Sequence, residues 1–155
     1  MKLRKENANY PLVLIFILGL IGVLLASFLT ITHYTGVPGA ACPKHQDGVP
    51  VCDIVNQSIY SELFGIPIAL FAIFVYSAYS LTSYFLLTKK KFEHINPLHL
   101  YKGLIVLSGA SLLFAIYLVS VLYFILKTVC LYCFIAHAIT LIIFVLSVVA
   151  FFKAK

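Results

Sequence analysis

A chain of 155 residues that is 63% hydrophobic and 10% charged, with a mean hydropathy of +1.07, is too apolar for an ordinary soluble domain. Its eleven Lys and Arg residues against five Asp and Glu give a formal charge of +6. These cations gather at the ends of apolar runs instead of along one face, which sets aside nucleic-acid binding and marks membrane topology.

In chain order, Lys2, Arg4 and Lys5 come first, and an uncharged apolar run follows from Leu12 to Thr32. About 20 residues rising 1.5 Å each cross a hydrocarbon core of about 30 Å, so residues 12–32 predict a spanning helix. A signal peptide is the competing reading. The run is longer than a typical signal core and no small-x-small cleavage site follows Thr32, which favours a retained helix. Gly19 and Gly22 within it predict close helix packing.

The connection 33–65 is the only sizeable segment outside the apolar runs. It opens turn-rich, with Gly36, Val37, Pro38 and Gly39, and carries Cys42 and Cys52 with nine residues between them, a flexible stretch being expected at Gln46, Asp47 and Gly48. After Cys52, Asp53 reads as a helix N-cap, and Val55, Ile59 and Leu63 recur every four residues beside Tyr60 and Phe64. That pattern predicts a short amphipathic helix at the membrane interface, its N-terminus favouring thiolate at Cys52. A loop stapled by a Cys42–Cys52 disulfide accounts for those two cysteines equally well.

Residues 66–87, 104–126 and 134–152 predict three more spans. The expected fold is an all-α integral membrane protein: one membrane domain over 1–155, a four-transmembrane-helix bundle with an outward-facing loop and a short interfacial helix between helices 1 and 2. Ser108, Gly109, Ala110 and Ser111 form a small-residue patch in the third span, suited to close packing or, alternatively, to a flat ring beside it. Four crossings place Lys2, Arg4, Lys5, Lys89, Lys90, Lys91, Lys102, Lys153 and Lys155 on one side, nine of the eleven basic residues. The excess of positive charge predicts cytoplasmic termini. Cys42, Cys52, Cys130 and Cys133 then fall on the periplasmic, extracellular or lumenal side, where disulfides persist.

Between the third and fourth spans lies Cys130-Leu-Tyr-Cys133. Two thiols this close can close into a disulfide almost without moving, which suits thiol exchange. As a staple the pair would do little, since so short a loop removes only about 2 kcal/mol of unfolded-state entropy. The spacing also serves zinc sites. Two cysteine pairs on one membrane face suit an electron relay, the loop pair meeting a soluble dithiol and the helix pair a lipid-soluble acceptor; quinone takes the two electrons a dithiol releases. The reading from a different class is a non-enzymatic four-span protein with structural disulfides or a four-thiolate zinc site, which metal analysis separates. His137 lies one helical turn beyond Cys133, and an ionisable residue within a span points to function: a donor to a quinone oxygen or a proton relay. The alternative is a polar side chain satisfied by a neighbouring helix.

Cys42 and Cys52, the run from Cys52 through Asn56, Ser58, Tyr60, Phe64 and Gly65 to Pro67, and Cys130-Leu-Tyr-Cys133 together resemble the vitamin K epoxide reductase family over nearly the whole chain. The resemblance implies a four-helix core around a quinone, reduced by the helix-borne pair while the loop pair carries electrons from a thioredoxin-like partner. It implies Cys133 as the thiol nearest the quinone, Cys130 as its exchange partner, Cys52 as the loop cysteine that attacks Cys130, and Cys42 as the one facing the soluble partner. Asn56 and Ser58 match positions near the active site, where they would bind a quinone carbonyl or hold the loop helix; ordinary capping is the alternative. The fused thioredoxin-like domain of some bacterial relatives is absent from the sequence, so the partner is expected as a separate protein. The expected activity is a membrane thiol:quinone oxidoreductase supporting disulfide formation, using ubiquinone or a menaquinone or vitamin K-type quinone, with no metal. Reduction of a vitamin K epoxide by the same cysteines is its near neighbour.

Overall fold

The computed structural model describes residues 2–36, 48, 51–88, 97–128 and 130–154. Cys42, the turn-rich stretch 37–39, Gln46, Asp47 and the connection 89–96 with its three lysines lie outside the described residues. The helices are α1 (Lys2–Thr35), α2 (Val51–Asn56), α3 (Ile68–Leu87), α4 (Pro97–Ser120) and α5 (Leu131–Ala154). A π-helical stretch, Val121–Leu126, prolongs α4. Among the described residues four helices are long and apolar enough to cross a membrane: Asn9–Thr35, Ile68–Leu87, Pro97–Leu126 and Leu131–Ala154. The chain is an integral membrane helical bundle. Leu24, Val106 and Leu113 are 71%, 70% and 71% exposed, an arrangement only lipid accepts at this density.

Within the spans, hydroxyls that cannot reach water bond their own helix: Thr30 donates to the Ala26 carbonyl, Thr140 to Ala136 and Ser147 to Ile143. Association then depends on close approach. A methyl group added at Gly22 would overlap the Tyr76 ring, and one at Gly19 would overlap the Ser80 hydroxyl, so these two glycines let α3 settle into α1. Ser80 Oγ also donates to the Phe16 carbonyl. The principal core joins Ile15, Ala26, Tyr76, Tyr79, Leu104, Ile139 and Ile143. Helix α3 lies along α1, and α5 lies against both α1 and α4, whereas α3 and α4 meet only lightly.

The helix ends at the loop end of the bundle have local causes. Gly36, at φ +64°, terminates α1 and returns its N–H to the Thr32 carbonyl at 3.0 Å. Lys127 takes the left-handed conformation (φ 48°, ψ 38°), and Thr128 N–H closes on the Leu122 carbonyl at 3.3 Å, turning the chain toward α5.

The connection preceding α3 departs from the expected amphipathic helix. Asp53 sits inside the first turn of α2 and is not its N-cap, and the helix stops at Asn56. A 3₁₀ turn, Ile59–Ser61, and an antiparallel hairpin of β1 (Glu62–Leu63) and β2 (Ile66–Pro67) follow. The cause is local chemistry: Ser58 Oγ bonds the Val55 carbonyl and Ser61 Oγ bonds those of Asn56 and Ser58, taking carbonyls that a longer helix would need. Phe64 and Gly65 then adopt φ of 56° and 77°, the doubly left-handed geometry of a two-residue hairpin, and Pro67 holds Ile66 extended. Of the three residues spaced four apart only Val55 is buried; Ile59 and Leu63 are exposed.

Candidate active site

Cys130 immediately precedes α5 and Cys133 lies in its first turn, with Cα atoms 5.3 Å apart and the two sulfurs joined. The helix start arranges this pair. The Cys130 carbonyl accepts from Phe134 N–H at 3.0 Å, and its Sγ accepts from Cys133 N–H at 3.2 Å, a capping contact made by sulfur. That amide is placed to stabilise negative charge on the Cys130 sulfur whenever it leaves a disulfide as thiolate.

Cys52, itself disulfide-bonded, meets the pair from α2. Cys52 and Cys130 are each 2% exposed and pack in one cluster with Val55, walled by Leu122, Leu126, Tyr132 and Cys133. Leu122 and Leu126 both come from the π-helical stretch, whose wider turn brings two residues four apart onto this cluster. Helix α2 is tied to α1 by Asn56, whose Nδ2 donates to the Leu29 carbonyl and to Thr32 Oγ1, both at 3.0 Å.

Beside this cluster lies a cavity of about 370 Å³, within the size range of small-molecule sites. Ala72, Val75, Phe114, Ala115 and Leu118 give it apolar walls from α3 and α4. Asn56, Ser58, Tyr60 and Ser61 form one polar group on it, and Tyr76, Ser111, His137 and Thr140 another, with Cys133 also on its surface. Several of these donors are already engaged. Both Asn56 amide protons go to α1, Ser58 Oγ donates to Val55, and Tyr76 donates to the Ala136 carbonyl at 2.8 Å. The His137 ring has no hydrogen-bond partner among the described residues.

The structure therefore brings Cys52, Asn56, Ser58, Cys130, Cys133 and His137 to one end of the bundle, while Cys42 lies outside the described residues. The small-residue patch divides: Gly109 lies against Phe144 of α5, whereas Ala110 and Ser111 face the cavity. Sequence reasoning missed Tyr76 and Tyr79, because aromatic abundance in a membrane chain reads as lipid-facing filler. Both are buried, and Tyr79 donates to Ser111 Oγ at 2.8 Å. The signal that could have found Tyr76 is the Gly19–Gly22 pair, which opens a slot on α1 that only a large α3 side chain fills.

The structure thus sets a bundle of spanning helices around a largely apolar cavity that carries Cys133, one member of a joined cysteine pair, on its surface. The chain belongs to the vitamin K epoxide reductase family, whose profile, described as "Vitamin K epoxide reductase family", matches residues 13–148. That match takes in the second and third described spans whole, most of the first and fourth, and both described cysteine-bearing segments. In general terms it is a membrane oxidoreductase of the thiol and quinone type, in a family associated with quinones and redox partners. No protein of curated function matches the chain.

Proposed function

We propose that the protein is a thiol:quinone oxidoreductase that takes electrons from a separate thioredoxin-like dithiol through Cys42 and Cys52, passes them to Cys130 and Cys133, and delivers them to a quinone, so sustaining disulfide formation in its partner. The observation that carries this reading is the packing of Cys52 against Cys130, with Cys133 on the cavity. After the partner reduces the loop pair, the Cys52 thiolate attacks Cys130 Sγ, forming a Cys52–Cys130 disulfide and releasing Cys133 as thiolate. Cys42 then displaces Cys130 from Cys52. This restores the loop disulfide and leaves Cys130 and Cys133 reduced, with Cys133 facing the acceptor.

The cavity fits a quinone head group in volume and lining: apolar walls, with few polar groups converging. When bound, a quinone accepts two electrons and two protons from the pair. His137 is the donor to a quinone oxygen, since its ring is uncommitted within the described residues and it stands one turn from Cys133. Asn56 and Ser58 hold the rim of the site. Access from the bilayer runs through the seam where α3 and α4 meet lightly, since both helices line the cavity. The distribution of basic residues supports cytoplasmic termini and cysteines on the opposite face.

Anaerobic reduction of a water-soluble ubiquinone or menaquinone analogue by the purified protein and a dithiol tests this function. The expected result is turnover that Cys130→Ser or Cys133→Ser lowers at least about 1,000-fold, as loss of a covalent-catalysis nucleophile does. Stoichiometric zinc in protein purified without chelator, with no turnover, would overturn it.

A further inference from the structure

Nothing in the sequence singles out His33, and it does not line the cavity. We infer that His33 is a positioning residue for the thiol relay, a latch that holds the turn spanning residues 56–62 to the end of α1 and so keeps Cys52 seated on Cys130. The inference rests on the relay proposed above.

Helix α2 has six residues, about a turn and a half, too short to hold helical form by itself. Its seat depends on contacts outside it. Burial of Cys52 and Val55 against Cys130 supplies one, and the Asn56 side-chain amide on α1 supplies another. His33 supplies the third from the last turn of α1. Its Nδ1 lies 2.6 Å from the Asn56 carbonyl oxygen and its Nε2 lies 3.3 Å from Glu62 Oε1, with its side chain 10% exposed.

The Asn56 carbonyl belongs to the last residue of α2, where a helix leaves its acceptors unfilled. Here it receives His33 Nδ1–H and Ser61 Oγ–H, both at 2.6 Å. Glu62 begins the hairpin that leads into α3. One imidazole thus grips both ends of the turn that follows the redox helix. The Asn56 carbonyl takes the Nδ1–H proton and the Glu62 carboxyl lies beside the other ring nitrogen, so the site calls for a side chain with a donor toward Asn56 and a polar atom toward Glu62. Imidazole meets that demand, and so would the amide of glutamine. If the latch is removed, the Asn56 amide still ties α2 to α1 and the bundle stays folded. The turn and the pitch of α2 gain freedom, and Cys52 loses its alignment on Cys130.

The test uses the full chain in lipid nanodiscs. Hydrogen exchange over residues 51–61 should be about tenfold faster in His33→Leu, close to wild type in His33→Gln, and unchanged in the four spans of either variant. The second reading starts from Cys133→Ser. There the Cys130 thiolate attacks the Cys52 sulfur of the loop disulfide, forming a Cys52–Cys130 bond and releasing the Cys42 thiolate. Adding His33→Leu should slow this step about tenfold, as small misplacements of reacting atoms do, and adding His33→Gln should largely restore it. In the otherwise wild-type chain, quinone reduction driven by dithiothreitol acting directly on the Cys130–Cys133 disulfide should be the same with and without His33→Leu. Unchanged exchange over 51–61 in His33→Leu overturns the latch. So does faster exchange spread through all four spans, which would make His33 a residue of general stability. If no Cys52–Cys130 disulfide forms even with His33 intact, the relay falls, and hydrogen exchange still decides whether His33 holds the turn.

Discussion

The spanning bundle and the segment at its loop end are held together in different ways. In the bundle, Gly19 and Gly22 admit Tyr76 and Ser80, and a continuous core runs from Ile15 to Ile143, so stability is spread over many weak contacts. The stretch Val51–Pro67 has a six-residue helix, a 3₁₀ turn and a two-residue hairpin, and it depends on a handful of polar tethers at Asn56, His33 and Ser61 together with one sulfur-centred cluster. A rigid scaffold thus carries Cys133 and His137, while a lightly tethered arm carries Cys52. For a relay in which the loop pair alternates between a soluble partner and Cys130, that division is physically apt: the arm must be seated, yet able to move, whereas the cavity must keep its shape.

Substitutions at the cavity, in the arm and in the scaffold should therefore fail differently. The largest effect is expected at the cavity. His137→Leu should keep expression and disulfide state yet lower quinone turnover about 100-fold, the lower range for loss of a general acid or base. Unchanged steady-state turnover would return His137 to packing.

Next comes the arm. Asn56→Ala removes two hydrogen bonds to α1 and should loosen α2 by about 1–3 kcal/mol, cutting partner-driven turnover about tenfold and dithiothreitol-driven quinone reduction less. Equal losses in the two assays would show that arm and scaffold are not separable in this way.

The smallest effect on activity, and the clearest on stability, is expected for Gly22→Ala. The added methyl group forces the Tyr76 ring to shift and should cost about 1–3 kcal/mol of bundle stability, read as a lower thermal midpoint in detergent. A stability loss confined to residues 51–67 in that variant would contradict the distinction between the two regions.

The same difference explains what could be read from the residues alone. Four apolar runs bounded by cations specify four spanning helices, because lipid leaves the backbone no other open choice. Cys133 and His137, one turn apart, share a helix whichever way the bundle packs. In the arm, Cys52, Asn56 and Ser58 were legible, but not its course. The spacing of Val55, Ile59 and Leu63 suggests one helix, yet Ser58, Ser61 and the Phe64–Gly65 turn divide it, because local side-chain bonds outweigh a short apolar period. His33, Tyr76 and Ser111 acquire meaning only through contacts across at least 20 residues of sequence, which no local pattern encodes.

The most direct test of the relay is mass spectrometry of non-reduced peptides from Cys133→Ser. Without Cys133 to close the helix pair, Cys130 should be found joined to Cys52, because the loop cysteine packed against it is the one that exchanges with it. A Cys42–Cys130 disulfide would reverse the order of the two loop cysteines, and the absence of any disulfide between the pairs would contradict the relay itself.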